Sequence, residues 1–226
     1  MTVSAFWAAV GAQLRRPEGT AGSFAGHTMR LANARINSAA VRALDPRSGE
    51  RIVEIGCGPG EALHGILARD VASVTGIDHS AVMIRQAARR NGRALAAGRL
   101  RLVHGDFLRL PVESASVDAV LAVNVAYFME DAAALTEIRR ALTPGGRLVL
   151  YATSARAMRK WPFAAPHSHR LLDEGAFRDL ISSAGFAENC TTLRLIDAGF
   201  GIEGLLAVAR NGQPPAVNRD MTLRRA

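Results

Sequence analysis

The sequence predicts an α/β fold: a doubly wound, mostly parallel, seven-stranded sheet of Rossmann-like type, with a C-terminal antiparallel hairpin and an N-terminal helical cap. Three observations predict it. Apolar runs at 51–55, 72–77, 100–104, 117–123 and 146–152 alternate with helical stretches at 60–70, 80–96 and 131–142. Strands that read as nearly unbroken apolar runs are those covered on both faces, as in parallel sheets. Two further apolar runs, 190–196 and 201–209, flank the turn sequence "DAGFG" and read as a hairpin.

Each element has a local reason. From His27 to Leu44, the residues Met29, Ala32, Ile36, Ala40 and Leu44 recur at three- and four-residue steps, the apolar stripe of an amphipathic helix. Pro46 disfavours helix at Asp45 and Gly49 supports a turn, so the cap ends near residue 45. The core then runs over 46–210. After Tyr151 the rhythm breaks at Pro162 and Pro166, and a helix from about Asp173 to Ala184 is closed by Gly185. Residues 211–226 read as a mobile tail.

Composition sets bounds. A chain of 226 residues with 21% charged residues matches an ordinary globular protein. The longest apolar stretch, Val117 to Met129, is interrupted by Asp118 and Asn124 and is too short for a membrane span. The N-terminal arginines follow a short apolar patch rather than precede it, which makes a poor signal peptide, and the expectation is a cytoplasmic protein. Two cysteines, Cys57 and Cys190, give neither a disulfide framework nor metal-ligand spacing, so no metal is expected. The net charge of +8 raises nucleic acid as a partner, but the arginines are spread along the chain without a dense block, which speaks against it.

Four polar signatures fall at the carboxyl ends of predicted strands, where open parallel sheets bind ligands. The first is "VEIGCGPG", residues 53–60, with Glu54 two residues before Gly56, Gly58 and Gly60. A dinucleotide site uses G-x-G-x-x-G; here the third glycine arrives one residue early and Glu61 occupies its place. Second, Asp78 ends the second strand, twenty residues after Gly58, where a carboxylate accepts both hydroxyls of a ribose. Third, Asp106 follows the third strand, placed to accept a bond from an exocyclic amine. Fourth, the next strand runs out at Asn124 in "VNVAYFMED".

These stretches, together with "LTPGGRLVL" at 142–150, resemble the class I S-adenosylmethionine-dependent methyltransferases, in their small-molecule, type 11-like branch. The resemblance is strong over residues 50–152. It implies S-adenosyl-L-methionine as cofactor, S-adenosyl-L-homocysteine as product, and a small-molecule methyl acceptor. It also implies roles. Glu54 orients the loop and reaches the methionine amino group through water, while Gly56, Cys57, Gly58 and Gly60 line the methionine and ribose portions. Asp78 holds the ribose hydroxyls, with His79 and Met83 beside the adenosine. Asp106 takes the adenine amine with Phe107 adjacent, and Asn124 and Val125 offer backbone groups to the methionine end.

The acceptor side is less determined. Asn33 and Asn37 continue from Met29 at four-residue steps along helix 27–44, a polar stripe edging its apolar face. Met29, Asn33, Asn37, Tyr127, Trp161 and Phe163 are candidate pocket residues, and Tyr127, His167 and His169 are candidate bases. "NVAY" replaces the N-P-P-[YF] stretch of enzymes that methylate amino nitrogens of bases or glutamine, which argues against that class. Two readings from other classes stay open: a dinucleotide-dependent oxidoreductase, disfavoured by the glycine spacing, and a non-catalytic module of the same fold that binds S-adenosylmethionine or RNA.

Overall fold

The computed structural model describes residues 33–129, 131–161, 170–199 and 202–212. Met29, Phe163, His167 and His169 lie outside them, as does the tail beyond Gly212. Among the described residues, no helix is long and apolar enough to cross a membrane.

After helix α1 (33–44) the chain forms β1 (Arg51–Ile55), α2 (Glu61–Leu67), β2 (Ser73–Asp78), α3 (Ala81–Arg90), α4 (Gly92–Ala96) and β3 (Leu100–His104). It continues through β4 (Val117–Val123), α5 (Ala133–Ala141), β5 (Leu142–Thr153), α6 (Ala155–Met158), α7 (Glu174–Ser183), β6 (Thr191–Asp197) and β7 (Glu203–Arg210). The seven strands lie in the order β3-β2-β1-β4-β5-β7-β6. β1 to β5 pair in parallel, and β7 inserts antiparallel between β5 and β6. The expected seven-stranded sheet with its C-terminal antiparallel pair is present, and of the expected N-terminal cap residues 33–44 are helical while residues 1–32 lie outside the described residues.

Alternation along the strands builds two cores. Val53, Ile55, Val120 and Ala122 face α5 and α7 through Leu135, Ile138, Phe177 and Leu180. Ile52, Ala119, Leu121 and Tyr151 face α1 and α2 through Ile36, Leu44, Leu63 and Ile66. Full burial of each such aliphatic side chain is worth about 1.5–3 kcal/mol, so both faces of the parallel strands are held. Strand order reverses between β1 and β4, and the carboxyl ends of β1, β2 and β4 therefore open a crevice there.

Three boundaries differ from the sequence reading, each for a physical reason. The stretch expected as one helix over 80–96 divides at Asn91, whose buried side chain turns inward and donates Nδ2 to the carbonyls of Gly60 and Ala87, both at 3.1 Å. β5 starts at Leu142 rather than 146, with a bulge opposite Val117 and Ala119. Its buried Arg147 binds Glu50 through two contacts of 2.7 Å and donates to the carbonyl of Asp45 at 2.8 Å, which clamps the end of α1 to the sheet. Asn211, placed at the start of the tail by sequence, instead donates its side-chain amide to the carbonyl of Leu142 at 2.9 Å.

Candidate cofactor site

The turn after β1 is built around Asp78. Its Oδ2 accepts the Gly58 amide and its Oδ1 the Ser80 amide, each at 2.8 Å, so one carboxyl ties the glycine turn to the start of α3. The Cys57 amide donates to the carbonyl of Ile77 at 3.0 Å, and the turn closes with Gly60 N–H to the Cys57 carbonyl, also at 3.0 Å. Gly56 has φ +65°, and a Cβ there would sit 2.2 Å from Val125 Cγ1. Only glycine meets both demands. Gly60, at φ +80°, is glycine for a different reason: a Cβ would meet Asn91 Nδ2 at 2.6 Å and the backbone of Ala87 at 3.0 Å.

A cavity of about 290 Å³ opens over this turn, at the lower end of the volumes typical of small-molecule sites, roughly 300–1,000 Å³. Of the residues expected at the cofactor, it is lined by Glu54, Gly56, Cys57, Gly58, Asp78, His79, Met83, Asp106, Phe107, Asn124 and Val125. From the acceptor set it brings in Asn33 and Asn37. Gly60 is not in the wall, because the turn packs it against α3.

Tyr127 and Trp161 are not in the wall either. Trp161 is partly buried against the core that contains α7. Tyr127 is buried, its hydroxyl donates to Asn124 Oδ1 at 2.6 Å, and it accepts the Thr153 amide. Burial also pushes its pKa up. A phenol so placed holds its proton and does not serve as a base for a ligand in the cavity. Sequence reasoning missed the neighbouring Phe128, which does reach the wall and meets Tyr127 edge to face at 6.0 Å. It also missed Glu61, which lines the cavity while paired to Arg90 at 2.8 Å. The Glu61 signal was available, since that residue was noticed only as the one breaking the dinucleotide spacing.

The electrostatics are unusual at two carboxyls. Glu54 is 3% exposed, and its Oε2 is buried without a hydrogen-bond partner among the described residues. Burial, reinforced by the nearby charge of Asp78, raises its pKa well above the usual carboxylate range. Asp78 is raised as well, chiefly by burial, against the opposing pull of the Ser80 and Gly58 amides and of His79 and His104. Burial likewise raises the Cys57 thiol, which stays protonated and is a wall atom rather than a nucleophile. Asp106 is exposed and accepts the Leu108 amide at 2.9 Å, so it also shapes its own loop.

Such a site has the form of an α/β nucleotide pocket at a strand-order reversal, with an acid on β1 and another closing β2. Comparison with known proteins gives the class a family. Residues 53–150 match the model of the methyltransferase domain. The chain is 30% identical over 128 residues to the uncharacterized methyltransferase YdaC of Bacillus subtilis, covering 56% of this chain and 68% of that protein. It is 35% identical over 125 residues to the 27-O-demethylrifamycin SV methyltransferase of Amycolatopsis mediterranei, covering 54% and 46%. Among solved structures, a chain in the complex of the Haloferax volcanii Trm112 methyltransferase activator with a methyltransferase superposes with a TM-score of 0.68 at 19% identity, over 94% of this chain and 99% of that one. The chain belongs to the class I S-adenosylmethionine-dependent methyltransferases. Its match spans about a third to a half of the length of the first curated relatives.

The residues present fit that family's cofactor on two observations of the structure. Glu54 lines the cavity and carries a buried carboxyl oxygen, Oε2, without a hydrogen-bond partner among the described residues, an acceptor left over for a ligand or a water beside it. Gly58, at φ +52°, has nothing within 4 Å of where a Cβ would stand, so its backbone faces open space beside Asp78.

Proposed function

We propose that this protein transfers the methyl group of S-adenosylmethionine to a nucleophilic oxygen, nitrogen or carbon of a small molecule. The observation that carries the reading is the buried, half-partnered Glu54 carboxyl beside a glycine turn that Asp78 pins. The cofactor supplies a methyl group already activated on a sulfonium, so the protein's task is alignment and exclusion of water.

In this reading, the Glu54 carboxyl serves the cationic amino group through water, and the Gly56–Gly58 backbone lies against the chain that follows it. Asp78, its two oxygens oriented by the Gly58 and Ser80 amides, directs its remaining lone pairs to the ribose hydroxyls. Met83 and Phe107 form apolar walls for the base, and Asp106 accepts from its amine. Asn33, Asn37 and Phe128 form the side from which an acceptor approaches. Relatives described as O-methyltransferases, among them one from Pyrenophora dematioidea at 34% identity over 122 residues, favour an oxygen nucleophile.

Incubation with methyl-labelled cofactor and an extract of small molecules tests the reading. Label should pass to a small organic acceptor, with S-adenosylhomocysteine formed in equal amount. Binding of the cofactor with no such product from any acceptor would point to a non-catalytic module of the same fold.

A further inference from the structure

The polar network behind the cavity has a direction. The Thr153 amide donates to the Tyr127 hydroxyl oxygen, so the hydroxyl's own proton goes to Asn124 Oδ1, at 2.6 Å. Thr153 Oγ1 also lies 3.4 Å from that oxygen. With Oδ1 facing inward, Asn124 must present Nδ2 outward, and it donates to Asn33 Oδ1 at 3.2 Å. Asn124 has φ +57°, a left-handed backbone that asparagine tolerates better than most residues. A backbone amide of β5 thus reaches α1 through three hydrogen bonds, all running one way.

Among its described residues, α1 is held differently near Asn33 and near Leu44. At the far end Ala40, Val41 and Leu44 are buried, and Arg147 grips the carbonyls of Leu44 and Asp45 while bound to Glu50. At the cavity end Ala34 and Arg35 are exposed, and the half-buried Asn33 and Asn37 form part of the cavity wall. The far end is therefore a fixed point; beside the cavity Ile36 seats the helix in the core, and the Asn33–Asn124 bond adds a polar tie from the end of β4 to the helix at the cavity wall.

We propose that Tyr127 is a positioning residue: by orienting the Asn124 amide it latches Asn33, and so the cavity end of α1, over the bound ligand. The inference rests on the cavity taking S-adenosylmethionine and its product. Tyr127→Phe keeps the ring and its packing on Phe128 but removes the bond that orients Asn124. Asn33→Ala removes the last link of the same chain. If the latch is one device, either change should open it, and making both should add nothing.

The test is the dissociation rate of S-adenosylhomocysteine from the full chain, measured by displacement, for the wild type, Tyr127→Phe, Asn33→Ala and the double variant. Loss of one neutral hydrogen bond shifts an equilibrium by roughly two- to tenfold. Each single variant should therefore release the ligand about two- to tenfold faster, and the double variant no faster than the singles. A purely structural role for Tyr127 would lower the melting temperature but would not make its effect on release depend on residue 33. Unchanged release from folded Tyr127→Phe, or effects of the two single changes that multiply, would overturn the proposal. Failure of the wild type itself to bind S-adenosylhomocysteine would instead remove the functional reading, and this inference with it.

Discussion

Replacing Asp78 with alanine separates the two jobs that the structure gives this carboxyl. It holds the Gly58 and Ser80 amides at 2.8 Å each, and in the proposed function it also holds the ribose hydroxyls. A hydrogen bond to a charged group is worth about 1.5–3 kcal/mol, so loss of the ribose contact should raise the dissociation constant for S-adenosylhomocysteine roughly ten- to hundredfold. Loss of the two amide acceptors should independently lower the stability of the free protein by about 1–3 kcal/mol. Calorimetric titration with S-adenosylhomocysteine and with an analogue lacking both ribose hydroxyls distinguishes the two. If Asp78 binds the hydroxyls, Asp78→Ala should cost far less affinity for the analogue than for the natural product, because the contact is already missing. A folded Asp78→Ala protein that binds like wild type, or that loses equally for both ligands, would refute the assignment.

Glu54→Gln should weaken S-adenosylhomocysteine binding by about tenfold, since hydrogen bonds to charged groups carry roughly 1.5–3 kcal/mol, and should flatten one part of the stability profile. Glu54 is raised above 4.5 in the fold, so its contribution to stability is complete below that pH and is lost as pH rises through the folded value. Melting temperatures of the ligand-free variant should accordingly fall less than those of the wild type from acidic to neutral pH. Glu50 behaves in the opposite sense. Burial would raise it, but the bonds from Arg147 and the Arg47 amide outweigh that and leave it lowered, so its stabilisation is present above 4.5 and is lost as pH falls through the folded value. Glu50→Gln should remove part of the acid-induced loss, and Arg147→Ala, which strands a mostly buried carboxylate, should cost about 3–5 kcal/mol in chemical denaturation at neutral pH. Gly204→Ala would place a Cβ 2.2 Å from the Tyr151 hydroxyl, and overpacking of this kind should cost about 1–3 kcal/mol in the same assay with cofactor affinity unchanged.

The sheet and the cofactor side of the cavity were legible because both are written locally. Near-continuous apolar runs mark the strands, and Glu54, Gly56, Gly58 and Asp78 are tied to the ends of those strands by short spacings. What stayed hidden depends on contacts between residues far apart in sequence. Asn91 binds the Gly60 carbonyl 31 positions away and ends α3 by doing so, a break that helix periodicity does not contain. Nothing local in "GGRLVL" gives Arg147 a partner, and it is buried because Glu50 and the end of α1 meet it 97 to 103 positions upstream. Tyr127 was a candidate base because it follows a strand end; Thr153, 26 positions later, folds back to bind its hydroxyl and assigns it elsewhere. Gly60 illustrates a subtler gap. Its place in the spacing was read correctly, but spacing does not say whether a glycine faces the ligand or the neighbouring helix.

One measurement bears most directly on the central claim: parallel calorimetric titrations of the purified chain with S-adenosylhomocysteine and with a nicotinamide dinucleotide. The glycine turn, the half-partnered Glu54 and the placement of Asp78 require saturable 1:1 binding of S-adenosylhomocysteine and no heat of binding from the dinucleotide. Saturable binding of the dinucleotide, with no response to S-adenosylhomocysteine, would contradict the account.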